Sequence, residues 1–202
     1  MKPALLILFT TASLAAIPAT AQDPAPNQAP LVESGQIIVD GHPTPYVIRH
    51  LPISSFPDLP PAIQQQLDRR GCLIPQTYEA HGPENVVHAS LERPGSSDWA
   101  ILCSARETVS LLVFFGDDSS QPFTLTTAPE TERLQTHDPS GVIGFNWGID
   151  PATPEQVHDA QLPMRHPPPR LDHEALADTL VDRRTVYHFY LKSAWIVLKM
   201  QD

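Results

Sequence analysis

Residues 98–116 read DWAILCSARETVSLLVFFG. Two apolar runs, 99–105 and 108–115, flank the short SARE connection, and that pattern predicts a tight antiparallel hairpin. The second run, VSLLVFF, is apolar at nearly every position, so it is expected to be a central strand covered on both faces. The hairpin also carries Cys103, one of two cysteines in the 202-residue chain. Whether that sulfur does chemistry or holds the fold together is the first question the stretch raises.

Working outward, a strand is expected at 86–91, joined to the hairpin by the RPGSSD turn. Weaker strands follow at 123–127, 133–137 and 142–147. The chain closes with a further hairpin, 185–191 and 194–200, across a Lys-Ser turn. Its first strand puts Tyr187, Phe189 and Leu191 on one face and His188 and Tyr190 on the other, which reads as core packing. Upstream, GQIIVDG at 35–41 is a short strand, paired with 46–49 across HPTP as a proline-limited edge hairpin. Between them PAIQQQLDRR, 61–70, is helical: Pro61 suits the first turn, Ile63 and Leu67 share a face, and Gly71 follows two arginines at the C-cap. A second helix is expected at 173–181, capped by Asp172, with Leu176 and Leu180 on one face. The stretch 151–169 is rich in proline and reads as a long loop with one helical turn at 155–160. The fold class is therefore α+β: a mainly antiparallel sheet, two short helices, one disulfide and proline-rich loops.

The ends bound the compartment. MKPALLILFTTASLAAIPATAQ has one charge, Lys2, an apolar run from 4 to 17, and the small-x-small pattern Ala19-Thr20-Ala21. These are the marks of a signal peptide, 1–21, rather than of a membrane anchor, since the run is shorter than the ~20 residues a span requires. A flexible proline-rich tail, 22–34, precedes a single α+β domain, 35–202. The expected location is periplasmic or secreted, with no membrane insertion once the leader is cleaved. The formal net charge is −10, and about −11 after Lys2 leaves with the leader. With no basic patch interleaved with aromatics, such a chain is not expected to bind nucleic acid.

In an oxidising compartment two cysteines with no odd one out predict a Cys72–Cys103 disulfide, tying the helix end to the hairpin. The sharper alternative is a cysteine nucleophile with His81 or His88 as base. It requires a thiolate in an open, electropositive site, whereas Cys103 sits mid-strand among apolar neighbours. The motifs GxSxG, HExxH, GxxxxGK[ST] and CxxC are absent. The nine histidines form no HxH or HxxxH pair, so no structural zinc set is spaced along the chain. The densest titratable cluster is Asp172-His173-Glu174. Its plain reading is a capped, acidic first helical turn; its functional reading makes His173 a general base or ligand flanked by Asp172 and Glu174.

The 16-residue segment ASLERPGSSDWAILCS resembles a degenerate FG-GAP/VCBS-type element. In that family an Asp/Asn/Gly-rich turn binds calcium. The resemblance makes Glu92 and Asp98 candidate metal ligands, although calcium takes six or more oxygens and Arg93 stands between these two. The plain reading has Asp98 closing the turn and accepting backbone amides. More broadly, RGCLIPQTY, PENVV, DWAILCS and SLLVFF, with the C-terminal DHEAL and VYHFYLKSAWIVLK, resemble a group of small exported bacterial proteins of uncharacterised function. That resemblance implies export and paired cysteines and brings no activity.

The function these readings favour is an exported non-enzymatic envelope module. Its expected partner is a basic envelope protein, in an inhibitor-like role, or a small ligand, and no cofactor is expected. The alternative is an envelope hydrolase using His and Asp/Glu, with or without a metal. A third reading is a structural component with the 22–30 tail as a spacer.

Overall fold

The computed structural model describes residues 30–116, 121–136 and 141–199. The expected leader, most of the expected proline-rich tail and the acidic stretch Asp117-Asp118-Ser119-Ser120, for which a solvated hairpin loop is the expectation, lie outside that set. In chain order the elements are β1 (Leu31–Val39), β2 (His42–Leu51), α1 (Pro61–Arg70), β3 (Ile74–Gln76), β4 (Val86–Ala89), β5 (Asp98–Ala105) and β6 (Thr108–Phe114). There follow β7 (Phe123–Pro129), β8 (Leu134–Thr136), β9 (Ile143–Phe145), β10 (Trp147–Ala152), α2 (Pro154–Gln161), β11 (Ala175–Leu180), β12 (Arg184–Leu191) and β13 (Ala194–Lys199). Single 3-10 turns stand at Ile53–Ser55 and Glu130–Arg133.

The strands form three sheets: β4-β5-β6-β7, β10-β11-β12-β13, and β1-β2-β9-β8 with β3 also on β2. All pairings are antiparallel except β2 with β9, where Tyr46 lies opposite Ile143. The α+β, mainly antiparallel architecture is as the sequence predicts. The hairpin of 98–116 sits at its centre. Trp99, Ile101 and Cys103 of β5 with Leu112 and Phe114 of β6 face α1, packing on Ile63 and Leu67. The alternate residues, Ala100 and Leu102 with Val109, Leu111 and Val113, face the other way onto Trp147, Ile149 and Leu176 of the second sheet. Strict period-two alternation with both faces apolar thus makes β5 and β6 the shared wall of two cores. α2 covers the far face of the second sheet through Val157 and Ala160, against Ala175, Ala177 and Phe189. Among the described residues no helix is long and apolar enough to cross a membrane.

The disulfide forms as expected between Cys72 and Cys103, with Cα atoms 5.1 Å apart. Gly71 ends α1 with φ 71°, a left-handed cap, and Cys72 N donates to Leu67 O at 3.0 Å, so the cap delivers Cys72 to the β5 face where Cys103 points.

Three expectations are corrected. The helix expected at 173–181 is strand β11, paired with both β10 and β12. Leu176 and Leu180 are four apart, which suits one helical face but equally one strand face, and burial of Ala175 and Ala177 on the opposite face decides for the strand. The N-terminal hairpin turns at Asp40 and Gly41, with φ 49° and 81°, not at HPTP. Those values belong to a type I′ turn, which Asp-Gly suits. Pro43 and Pro45 lie within β2, ahead of its pairings with β9 and β3, where β1 is its only strand partner. Finally β1 begins at Leu31, so residues 31–34 belong to the hairpin and not to the tail.

Candidate functional site

The Asp172-His173-Glu174 cluster precedes β11 and forms a seam. His173 is buried; its Nδ1 meets Asp172 Oδ1 at 2.8 Å and its Nε2 meets the Tyr190 carbonyl at 2.9 Å. Both partners are acceptors, so neither nitrogen faces open space where a substrate or metal could sit. The hydrogen bond from His173 holds the Asp172 carboxyl below the usual carboxylate range. Glu174 Oε2 accepts from Ser90 N at 2.8 Å, and Glu174 N donates to Ser90 O at 3.1 Å. The three residues tie the end of β4 to the second sheet. They neither cap a helix nor assemble a catalytic group.

Asp98 is fully buried. Its Oδ2 accepts from Leu91 N and Glu92 N, each at 2.8 Å, and from Ser96 Oγ, while Oδ1 accepts from Gly116 N at 2.9 Å. Four donors saturate the carboxylate, and Glu92 pairs instead with Arg93 at 3.1 Å. The turn resembling a calcium loop is closed by amide donors, and its two acidic side chains do not converge. The acidic turn 117–120 lies outside the described residues.

A different histidine does meet an acid and a hydroxyl. His50 on β2 places Nε2 2.7 Å from Glu130 Oε1, and Ser104 Oγ donates to the same oxygen. All three residues are buried, and His50 Nδ1 has no partner. A nucleophilic serine needs its hydroxyl on the imidazole, with the acid behind the imidazole. Here the acid stands between serine and histidine, which makes a buried hydrogen-bonded tie between β2, β5 and the second 3-10 turn. Burial pushes the Glu130 carboxyl up, but the hydrogen bonds from His50 and Ser104 and the charge of His50 outweigh it and hold the group low. Glu33 completes a set of one imidazole and two carboxylates within 4.8 Å of one another. These are the donors that could hold a divalent cation, but only if the His50–Glu130 bond were exchanged for metal bonds. Glu33 Oε1 accepts from Tyr46 at 3.3 Å, whose own ring lies over Gly35 where a Cβ would meet it at 2.7 Å.

The concave site lies elsewhere, on the α1 side of the hairpin. Register pairs His88 of β4 with Trp99 of β5, and their rings stack with centroids 4.3 Å apart and planes 10° from parallel. Ser97 Oγ fixes His88 Nε2 at 2.7 Å. This platform walls a cavity of about 600 Å³ completed by Phe56, Leu59 and Val86, with Pro57 and Pro83 at its edges. Asp58 stands at the rim, exposed and without an ion-pair partner among the described residues. The Trp99 Nε1 is buried with no acceptor. Behind the platform Cys103 and Phe114 pack on α1, so the disulfide and helix back the pocket wall. The sequence named His88 only as a base for a thiolate; cross-strand pairing over the RPGSSD turn was the signal that joins it to Trp99.

No protein-family model, curated protein or solved structure matches the chain.

Proposed function

We propose that the protein is an exported, non-enzymatic binding module whose Trp99–His88 pocket takes a small ligand with a flat apolar body. The observation that carries the reading is the stacked indole–imidazole platform lining a mostly apolar cavity of about 600 Å³. That volume falls within the ~300–1,000 Å³ typical of small-molecule sites, and rings held parallel on a strand pair offer a flat face with little freedom left to lose on binding. The leader pattern at 1–21 and the disulfide support export. His173, engaged on both nitrogens, and the His50 cluster, with its acid between serine and histidine, lend the hydrolase alternative no support. The neutral fluorophore N-phenyl-1-naphthylamine tests the site. Saturable enhancement with the wild-type chain, weakened about tenfold in His88→Ala and Phe56→Ser variants of unchanged circular dichroism, is expected. Equal binding by both variants, or none by the wild type, overturns the reading.

A further inference from the structure

A second cavity, of about 240 Å³, opens between β7 and the outer part of the β10–β13 sheet. Register puts its polar residues on one sheet face: Asp178 lies opposite Val186, and Val186 opposite Lys199, while Leu180 faces Arg184 and Leu176 faces His188. Arg184, His188 and Lys199 therefore project together toward β7, and Arg133, at the end of the second 3-10 turn, completes the lining. In a chain with 13 lysines and arginines against 23 acidic residues, three of the cations share this one small cavity.

Their charge is not balanced from within. Among the described residues Asp178 is the only carboxylate of the lining, and both its oxygens are engaged: Oδ1 accepts from Trp147 Nε1 at 2.7 Å and Oδ2 meets His188 Nε2 at 3.0 Å. Among the described residues neither Arg184 nor Lys199 has a carboxylate within ion-pair distance. Arg133 is half-buried, with its guanidinium carbon 4.3 Å from the centroid of the Trp147 ring and its Nε buried without a partner. Stacking on an indole fixes the plane of the guanidinium, and a fixed, partly dehydrated fork is the arrangement that recognises a planar or tetrahedral oxyanion. Thr126 adds a hydroxyl from the β7 side.

We propose that this cavity is a binding site for a phosphate or phosphate monoester, gripped by Arg133, Arg184 and Lys199. The site is separate from the Trp99–His88 pocket and stands whether or not that pocket binds a ligand. Phosphate chemistry could come from a free anion or from a lipid headgroup, and two titrations separate them. Inorganic phosphate is titrated calorimetrically into the full mature chain at low and raised salt; in parallel the chain is sedimented with phosphatidylcholine vesicles containing one-fifth phosphatidic acid, whose headgroup is a phosphate monoester. Saturable phosphate binding that weakens with salt, and at least tenfold in Arg184→Gln/Lys199→Gln, is expected. Arg133→Lys, which keeps the charge and loses the fork, should weaken it severalfold. Vesicle binding with the same sensitivity and no response to free phosphate would assign the site to a headgroup and also support it. Arg184 and Lys199 are exposed, so their replacement leaves the fold intact. No saturable binding in either arm, or binding unchanged in the double variant, overturns the proposal.

Discussion

Glu130 receives two hydrogen bonds on one oxygen inside a buried joint, and its behaviour is governed by what would happen if either partner left. Removing the imidazole in His50→Ala strands a buried carboxylate, which typically costs about 3–5 kcal/mol; urea unfolding at pH 7 should show a loss in that range. The carboxyl is held below its ordinary 4.5 in the folded state. Its contribution is therefore complete above the unfolded value and is lost as pH falls through the folded one. Acid titration of the wild type should show stability falling below about pH 4.5, and Glu130→Gln should flatten that limb. Beside the joint, burial first and then the carboxylates Glu33, Glu107 and Glu130 push the Tyr46 hydroxyl upward. Asp98 is the other residue on which much depends. Asp98→Ala would leave three backbone amides without their acceptor, and about 3 kcal/mol of destabilisation is expected in the same assay.

At the level of elements, the turns are where this chain departs most from ideal choices. Arg106 and Glu107 join β5 to β6 with φ 54° and 62°, and Lys192 and Ser193 join β12 to β13 with φ 51° and 63°. Both are left-handed pairs with no glycine, and such conformations cost L-residues roughly 1 kcal/mol apiece. Ser193→Gly, on an exposed turn, should therefore raise stability by about 1 kcal/mol, read as a higher denaturation midpoint. The same elements explain what the sequence disclosed. The 98–116 hairpin was legible because two apolar runs of strand length surround a turn, and α1 because Pro61, Ile63, Leu67 and Gly71 mark its start, face and stop. Strand β11 was not legible, because Leu176 and Leu180 fit both periods and its neighbours β10 and β12 decide between them. The His50 joint was hidden for another reason: its partner Glu130 is 80 residues away, and no local spacing announces a contact of that range. The cationic cavity is hidden likewise, drawing Arg133 from the second 3-10 turn and Lys199 from β13.

For the whole molecule, the Cys72–Cys103 bridge joins α1 to the shared wall of the two larger cores, across a separation of 31 residues. In the chain-entropy account a loop of that size stabilises by roughly 3–4 kcal/mol. The Cys72→Ser/Cys103→Ser variant should unfold at correspondingly lower urea, and thiol titration of the unreduced native chain should find no free sulfhydryl. Because Trp99 and Cys103 face the same core, loss of the bridge should also loosen the wall of the Trp99–His88 cavity, seen as weaker binding of the fluorophore, if it binds there, before global unfolding.

The parallel pairing of β2 with β9 has a consequence for the order in which the chain assembles. Tyr46 and Val47 wait for Ile143 and Gly144, which arrive only after α1 and the whole central hairpin sheet have been made. A strand whose partner comes so much later in the chain is one with which a stray strand could pair first. The prolines at 43 and 45, which cannot donate to a stray strand, stand just ahead of that pairing and limit such premature partners.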